Sequence, residues 1–483
     1  MGMVSTEPRV DRLLDLPEIA QRRKGTPKER AARGKEARKR APRSAHAYWQ
    51  TPADRPDPVR LLEEQAKKRA AELVPIRYGR MLASEGTFYR GGALLMASDL
   101  VDTPVSGLTC QLCGDAHLMN FGLFQSPERR LIFDINDFDE TLPGPWEWDV
   151  KRLAASFEVA GRDRSFDAAT RRAIVLSCVR AYRESMLEMA ETRAIHVWHS
   201  RADTDLVRAH NRELRERDAL RMERDLSHAA ARDDMRALSR LTEEVDGRVR
   251  LRCAPPLLVP ARELLVEGQR AKYAHTIEEA LRGYRDSLPH DRRPLYDLYR
   301  FRDMARKVVG VGSVGTRAWV LLFFGRDKGD PLFLQAKQAQ ASVLERFAGR
   351  SRYLRAGRRV VEGQRLMQAA SDFLLGWYHV HGFDGYPYDF YVRQLWDGKG
   401  SFSVETMAAG AWHNYARLCS WTLARAHART GDRIAIAAYL GGGDVFDRAI
   451  ADFAAIYAEQ NQRDYEALGE AADDGRVKAS FGV

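Results

Sequence analysis

Residues 308–325, VVGVGSVGTRAWVLLFFG, decide how the rest of the chain is interpreted. They contain Gly310, Gly312, Ser313 and Gly315 in a GxGxxG pattern, which binds phosphates either before a helix, as in dinucleotide sites, or between two strands, as in kinases. The residues after the glycines are β-branched, aromatic and apolar, which favours a strand. The sequence therefore predicts a strand–loop–strand unit over nucleotide phosphates. The alternative is a glycine-rich hairpin without chemical function.

Lys337, in the apolar run PLFLQAK, is the second candidate in this region. The chain has 64 Arg but only 13 Lys, so a lysine on an apolar strand suggests that a compact ammonium is needed there. It follows Gly315 by 22 residues, enough for a strand, a turn and a second strand that place the ammonium beneath the glycine loop. Glu345 and Glu362 are its candidate acidic partners. The alternative is a solubility lysine on an edge strand.

Two earlier stretches are dense in acids and amides: CGDAHLMNFG at 113–122 and RLIFDINDFDET at 130–141. Hard oxygen ligands from a loop and a strand end suit Mg²⁺, and a spare Asp nearby could act as a base for a hydroxyl. The candidate residues are Asp115, Asn120, Asp137 and Asp139, with Asp134 and Glu140 beside them. The alternative is a surface hairpin with solvated acids.

A helix is predicted to start within PGPWEWDVKRLAAS, residues 143–156, with Asp149 in its first turn. Asp149 is either an ordinary N-terminal helix acid or an anchor for the loop that contains Asp115. Two other patterns are interpreted as packing rather than metal sites, because neither offers a convincing ligand set. They are Cys110 and Cys113 with His117, and His379 with His381.

The composition, 45% hydrophobic and 30% charged, is that of a globular protein and excludes a disordered chain or a disulfide scaffold. Five cysteines, no apolar run of membrane-span length and no signal-peptide pattern lead us to expect a cytoplasmic protein without a transmembrane segment.

The net charge of +10 comes from residues 21–43, which carry eleven Lys or Arg and two Glu; the remainder has a net charge of +1. This stretch lacks apolar periodicity, so residues 1–57 are predicted to be a basic, mostly disordered tail. The tail could make weak contact with nucleic acid or an anionic surface, or it could be a solvated arm.

Four further segments follow from the patterning. They are a catalytic-loop and metal-binding part at 58–165, a helical segment at 166–306 that is the candidate acceptor-binding region, a mostly antiparallel glycine-loop and lysine lobe at 307–400, and C-terminal helices at 401–483.

The body of the chain, about residues 60–465, resembles the bacterial family called domain of unknown function 2252. The resemblance rests on long stretches: FYRGG at 88–92, CGDAHLMNFG, FDINDFDETLPGPWEWDVKRLAAS, KVVGVGSVGTR and VVEGQRLMQAASDFLLGW. The family name implies no activity.

The motifs are also similar to those of the kinase-like superfamily, of the aminoglycoside phosphotransferase type. There a GDxHxxN loop supplies the catalytic Asp and a metal-binding Asn, and a later IDFD supplies a metal-binding Asp. The resemblance implies that Asp115 is the base and that Asn120 and Asp137 hold Mg²⁺. It also makes Asp149 similar to the helix Asp that supports the catalytic loop, and residues 310–315 with Lys337 similar to the phosphate-binding parts.

The order of the parts differs from that family, because here the glycine loop and lysine follow the catalytic loop by about two hundred residues. Residues 420–430 resemble the helix that normally leads into the catalytic loop. The resemblance thus implies an α+β, two-lobed, protein-kinase-like fold in circularly permuted order, with a small antiparallel sheet lobe and a large helical lobe.

The expected function is an ATP- and Mg²⁺-dependent phosphotransferase acting on an unidentified, small-molecule hydroxyl. Protein acceptors and nucleotidyl transfer stay open, as does the choice between Glu345 and Glu362. The alternatives are a nucleotide-binding regulator with little catalysis and a nucleic-acid-associated protein that acts through its tail.

Overall fold

The structure is a computed structural model that describes residues 25–264, 270–308, 310–382, 384–395 and 398–482, with only the backbone of 270–272. Helices alternate with small antiparallel sheets, so the predicted α+β class is confirmed. The helices that precede the first strand in this part of the chain are α1 (Pro27–Arg40), α2 (Pro58–Ala66), α3 (Val74–Met81), α4 (Glu85–Gly91) and α5 (Ala93–Leu100).

Four short strands bring the two acid-rich loops together. They are β1 (Thr109–Leu112), β2 (Phe121–Gln125), β3 (Leu131–Ile135) and β4 (Leu142–Pro145). β1 pairs antiparallel with β4, and β2 pairs antiparallel with β3. Because Leu112 lies opposite Leu142 and Phe121 lies opposite Ile135, the loops 113–120 and 136–141 leave the two ladders side by side.

A largely helical, charged segment follows, as the pattern predicts for its first part. Its elements are α6 (Trp146–Asp163), α7 (Ala168–Glu191), α8 (Ala194–His199), β5 (Ala202–Asp203), α9 (Thr204–His210), α10 (Glu216–Ala230), α11 (Asp234–Leu241) and the hairpin of β6 (Thr242–Val245) and β7 (Arg248–Leu251).

A six-stranded antiparallel sheet, here called the sheet unit, then forms in the order β12-β13-β11-β10-β9-β8. The strands and the helices between them are β8 (Leu258–Pro260), α12 (Ala261–Leu264), α13 (Arg270–Ser287), α14 (Arg293–Asp297), β9 (Arg300–Lys307), β10 (Ala318–Phe324), β11 (Pro331–Ala339), α15 (Ala356–Met367), β12 (Gly376–His381) and β13 (Pro387–Gln394). α15 lies between β11 and β12.

The sheet unit starts earlier than predicted. β8 and nearly all of β9 fall within the 166–306 segment, and the strand that precedes the glycine loop, Arg300–Lys307, ends before the VVGVG run begins. In this strand Arg300 and Arg302 alternate with half-buried residues. The sequence does not predict it, because its polar positions are not typical of a strand interior. Val309 lies outside the described residues.

The two faces of the sheet unit have different roles. Lys337 lies in the central strand β11, opposite Ala318 of β10 and Tyr391 of β13. Neighbours in β11 such as Leu334 and Ala336 point to the other face, where they pack with Tyr284 of α13. Lys337 is therefore presented on the face away from α13.

The chain ends in three helices, α16 (Ala409–Thr430), α17 (Arg433–Leu440) and α18 (Val445–Asp473). α16 and α18 pack on α6 and α7, with Trp146 stacked on Tyr182 at a ring distance of 5.7 Å. Together with the N-terminal helices they form the helical body (residues 25–241 and 398–482). Its two ends are joined by Arg55, which donates to Asp99 and Asp464 at 2.7 and 2.6 Å.

Residues 25–57 differ from the predicted disordered tail, of which residues 1–24 lie outside the described part. α1 starts at a capping box between Thr26 and Glu29 and packs along α17. The approach is close: a Cβ on Gly34 would lie 2.0 Å from the carbonyl oxygen of Ala435. The segment has few apolar residues, but its backbone packs directly against that of α17. A hydropathy pattern does not predict such a contact.

Several arginines of this segment bind the helical body. Arg30 and Arg33 donate to Asp432 at 2.8 and 3.0 Å. Arg38 donates to the carbonyl of Tyr439 at 2.8 Å, and Arg43 to that of Leu440 at 2.6 Å. The last carbonyls of α17 lack helical partners and carry partial negative charge, so these cations cap the helix.

No helix among the described residues is long and apolar enough to cross a membrane.

Candidate active site

A cleft of about 320 Å³ separates the acid-rich loops of the helical body from the sheet unit. The predicted site residues that line it are Asp115, Asn120, Asp137, Asp139, Gly310, Gly312, Ser313 and Glu345. Lys337 is 5% exposed and does not line the cleft; it lies against residues 136–141, here called the acidic wall. Glu362 is not among the lining residues of the described part.

The loop that carries Asp115 is fixed through its backbone. Gly114 has φ +83°, and a Cβ there would lie 2.2 Å from the carbonyl oxygen of Glu140, so the turn requires glycine. The carboxylate of Asp149 accepts the amide of Cys113 at 2.7 Å and that of Gly114 at 3.0 Å. Asp149 therefore anchors the loop, as one of the two sequence interpretations has it.

Asp149 is itself oriented by α16. His427 Nε2 lies 3.2 Å from Asp149 Oδ2, and His427 Nδ1 lies 2.8 Å from the hydroxyl of Tyr182. α16 also meets β1, where the Gln111 amide donates to Thr430 Oγ1 at 3.2 Å. The segment 420–430 thus packs beside the strand that leads into Gly114.

Arg152 is a site residue that the sequence interpretation missed. Its Nε and Nη2 donate to Asp115 Oδ1 at 3.0 and 2.8 Å, and its guanidinium stacks 4.0 Å from the ring centre of Tyr89. The only local signal is its position three residues after Asp149, on the same helix face. Burial raises the pKa of Asp115, and Arg152 opposes that shift.

Asp115 Oδ2 and the side-chain oxygen of Asn120 are not used by the contacts that fix this loop and can face a ligand. Oδ2 has His117 Nε2 at 3.8 Å, beyond hydrogen-bond distance. Burial, followed by Arg90 and Arg152, lowers the pKa of His117 well below its usual value, so the imidazole is neutral. Asn120 Nδ2 donates to the Asp115 carbonyl at 2.6 Å, which fixes the amide and leaves its oxygen as an acceptor.

Lys337 meets the acidic loop directly. Its Nζ lies 3.6 Å from Asp137 Oδ2 and 3.7 Å from Asp139 Oδ2, although Lys337 follows Asp137 by 200 positions. Burial alone would raise the pKa of Asp137, but Lys337 and then Arg393 outweigh it and hold the pKa below its usual value. Burial and the neighbouring Asp137 raise the pKa of Asp139.

The two glutamates proposed as partners of Lys337 have other partners. Glu345 lies 3.8 Å from Arg359 and caps the turn that starts at Ser342; Glu362 lies 3.5 Å from Arg365. The ammonium instead pairs with the aspartates, because strand β11 brings it to the loop rather than to the helix behind it.

The glycine loop is docked by its carbonyls. Arg80 donates to the carbonyl of Gly310, and Arg69 donates to those of Gly312 and Val314. The Ala70 amide donates to the carbonyl of Gly315 at 2.8 Å. Two arginines of the helical body thus fix one side of the loop, while the side chain of Ser313 lies 3.5 Å from Asp139 Oδ2.

The acidic wall is held from behind by Arg359, which is 2% exposed. It donates to the carbonyls of Thr141 at 2.6 Å and Asp139 at 2.7 Å. Burial raises the pKa of Glu140 to about 7, and its Oε2 accepts the Val343 amide at 2.7 Å. This contact joins the wall to the segment that leaves β11.

The donors at this wall fit a hard divalent cation. Asp139 Oδ1 is buried and accepts no hydrogen bond within the described residues, and the oxygen of Asn120 is unused by its own loop. No three His, Cys, Asp or Glu side chains of the described part converge on one point. Mg²⁺ needs no such cage, because it is commonly bound by one or two carboxylates together with phosphate oxygens and water.

Other acids and histidines of the motifs pair with protein side chains and do not line the cleft. Asp134 forms a buried ion pair with Arg425 of α16. His379 lies 2.8 Å from Asp389, which also accepts the first amide of α15. Cys110 and Cys113 are buried cysteines.

Comparison with known proteins gave one match. A family model described as "Uncharacterized protein conserved in bacteria (DUF2252)" matches residues 69–471. No curated protein and no solved structure matches the chain.

Proposed function

We propose, from the premise that the chain belongs to the DUF2252 family of uncharacterized bacterial proteins, that it is an ATP- and Mg²⁺-dependent phosphotransferase acting on a small-molecule hydroxyl. The observation that carries the proposal is the 3.6 Å approach of Lys337 to Asp137 across one cleft. A sheet docked elsewhere would bury its apolar faces equally well, so apolar burial alone does not explain this meeting.

The arrangement supports a kinase-like site in permuted chain order. Four separate stretches of the chain supply its parts. The proposed base and Asn120 come from residues 113–120, the aspartate ligands from 136–141, the glycine loop from 310–315, and the lysine is Lys337. Phosphoryl transfer requires these parts within about one triphosphate length of each other. The acceptor-binding side would then be the end of the cleft near Asp115.

Asn120, Asp137 and Asp139 would hold Mg²⁺, which supplies charge neutralisation for the phosphate oxygens. Lys337 and the amides of the glycine loop would bind the phosphate chain. The Lys337 ammonium lies beside the two proposed aspartate ligands, 3.6 Å from Asp137 and 3.7 Å from Asp139.

Asp115 would be the general base. The acceptor oxygen attacks the γ-phosphorus and forms the new P–O bond, while the bond from that phosphorus to the β,γ-bridging oxygen breaks and ADP leaves with the electron pair. The acceptor proton passes to Asp115 Oδ2, the carboxylate oxygen that Arg152 leaves free.

A regulator that binds nucleotide with little catalysis remains the second candidate. The ion pair between Arg152 and Asp115 favours it, because a cation beside the base lowers proton affinity. The third alternative, action through a basic tail, has less support, since Arg30, Arg33 and Arg38 bind the body of the protein.

The test is calorimetric titration of the full chain with ATP, with and without Mg²⁺, followed by transfer of labelled γ-phosphate to a panel of hydroxyl compounds. Mg²⁺-dependent binding with transfer supports the phosphotransferase; binding without transfer to any acceptor supports the regulator. Absence of binding in both buffers overturns both.

A further inference from the structure

Arg90 is the one cleft cation next to the proposed base that has no hydrogen bond or ion pair within the described residues. It lies in the last turn of α4 and lines the cleft with Asp115 and His117. Its Nε is buried and makes no hydrogen bond. The side chain as a whole is only partly buried, and a buried guanidinium nitrogen without an acceptor costs free energy, so an anion in the cleft would stabilise it.

Arg90 lies between the glycine loop, which would bind the nucleotide, and Asp115, the proposed base. On one side, a Cβ on Gly312 would lie 3.6 Å from the Arg90 carbonyl oxygen, so α4 abuts the glycine loop. On the other side, burial lowers the pKa of Arg90, and the charges of Asp115 and Glu405 oppose that shift. These carboxylates are therefore neighbours without being bonded partners.

The structure gives Asp115 its own cation, so Arg90 is not needed to neutralise it. Arg152 donates twice to Asp115 Oδ1. The γ-phosphate end is likewise served by Lys337 and by the oxygen ligands of the acidic wall. A planar, five-donor guanidinium beside the base is suited to a carboxylate or phosphate carried by the molecule whose hydroxyl meets Asp115.

We infer that Arg90 binds an anionic group of the acceptor, so that the substrate class is a hydroxyl compound bearing a phosphate or a carboxylate. The description of the ligand as a phosphate acceptor rests on the proposed function, whereas the existence of an anion site at Arg90 does not. Arg90 is accordingly a specificity-determining residue that discriminates against neutral alcohols and amino alcohols.

The first measurement uses inorganic phosphate as the probe. It is titrated by calorimetry into the full-length protein, alone and after saturation with a non-hydrolysable Mg²⁺–ATP analogue that fills the nucleotide phosphate positions. We expect phosphate to bind in both states, and Arg90→Gln to weaken its binding roughly tenfold or more, since charge-assisted hydrogen bonds are lost. Arg326→Gln, the same change at an exposed turn outside the cleft, is the matched control.

The folded state of the variant is checked by its melting temperature. Arg90 Nε has no partner to lose, so Arg90→Gln should melt at or above the temperature of the wild type. A lower melting temperature with unchanged phosphate affinity would make Arg90 a structural residue and overturn the inference.

The second measurement compares three acceptors with one carbon skeleton: glycerol, glycerate and glycerol 3-phosphate. The wild type should transfer to an anionic member with a kcat/KM at least roughly tenfold above that for glycerol, and Arg90→Gln should remove that preference. Glycerate and glycerol 3-phosphate separate a carboxylate site from a phosphate site. An equal loss for all three acceptors would place Arg90 on the γ-phosphate and overturn the inference.

The two proposals fail separately. If the nucleotide analogue binds in a Mg²⁺-dependent way, two results overturn the anionic acceptor alone. One is phosphate binding that Arg90→Gln leaves unchanged, and the other is no phosphate binding at millimolar concentration. Arg90-dependent phosphate binding without any nucleotide binding overturns the phosphotransferase and leaves an anion site.

Discussion

Asp149 and Arg152 lie one turn apart on α6 and hold the same loop from two sides. Asp149 accepts the backbone amides of Cys113 and Gly114, and Arg152 binds the carboxylate of Asp115. One rigid helix therefore sets both the path of the loop and the direction of its central side chain, which is how precise sites are usually supported.

Removing the cation of this pair should cost stability that a second substitution restores. Arg152→Met leaves the Asp115 carboxylate without its hydrogen-bonded cation, and the cost should be below the roughly 3–5 kcal/mol of a fully buried pair, because Asp115 is 20% exposed and Arg90 lies nearby. Asp115→Asn in the same chain removes the charge and should recover part of that loss. Urea denaturation of both single variants and the double variant measures the coupling; additive effects would contradict the pairing.

Lys337→Met should make the protein depend on Mg²⁺ for stability. Without the ammonium, Asp137 and Asp139 repel each other, and we expect a loss of roughly 1–3 kcal/mol, less than for a fully buried pair because the carboxylates retain some solvent access. Added Mg²⁺ should raise the melting temperature of the variant more than that of the wild type. Lys328→Met, at an exposed ion pair, is the control, and an equal Mg²⁺ response in all three proteins would argue against a cation site.

Asp115 and Asp137 should be separable by nucleotide binding. Asp115→Asn is expected to retain Mg²⁺–ATP affinity and to lose roughly 10²–10⁴-fold in turnover, the usual contribution of a general base. Asp137→Asn should lose the Mg²⁺-dependent part of the affinity itself, because a metal ligand acts before the chemical step. Mg²⁺ titrations in which both variants behave alike would contradict this division.

His46 should make stability fall on mild acidification. Burial lowers the pKa of His46 to about 2, so the folded state keeps the imidazole neutral where the unfolded chain binds a proton below about pH 6.5. Stability from this group is complete above pH 6.5 and declines as the pH falls. Between pH 7.5 and 5.5 the wild type should lose about 1.4 kcal/mol that His46→Gln does not lose. His275→Gln, at an exposed histidine, should lose as much as the wild type.

Asp432→Ala should release the N-terminal segment. Asp432 pairs with Arg30 and Arg33 and also accepts the Ala435 amide at the start of α17. Loss of a cap and of partly exposed ion pairs should cost roughly 1–3 kcal/mol. Limited proteolysis should then cut residues 25–43 faster than in the wild type, while Asp452→Ala, at an exposed pair with Arg172, leaves the rate unchanged.

The sequence was informative where a motif is local. The side chains of Asp115 and Asn120 are five residues apart in one loop, and Asp149 lies in the first turn of the next helix, so their neighbourhood follows from short-range geometry. Counting residues from the glycine loop predicts Lys337 on the second strand after it, and β11, which carries Lys337, pairs with β10 in that order. The roles of these residues stay predictions.

Long-range partners could not be predicted. Arg152 and Arg90 are two among 64 arginines, and nothing in the local pattern distinguishes the one that binds Asp115 from the one that lines the cleft beside it. The assignment of Lys337 to Glu345 or Glu362 was wrong because strand β11 meets a loop 200 residues earlier in the chain. The docking of α1 was missed because polar contacts, rather than an apolar stripe, hold it.

The contact of Arg55 with Asp464 has a consequence for how the protein is made. All strands of the sheet unit are present once residue 394 has been synthesised, whereas the helical body still lacks α16, α17 and α18, on which α1, α6 and α7 pack. On the ribosome the sheet unit can therefore form first, and α1, α6 and α7 must wait until α16, α17 and α18 have been synthesised. Exposed apolar faces during that interval make the unfinished chain a natural client for chaperones.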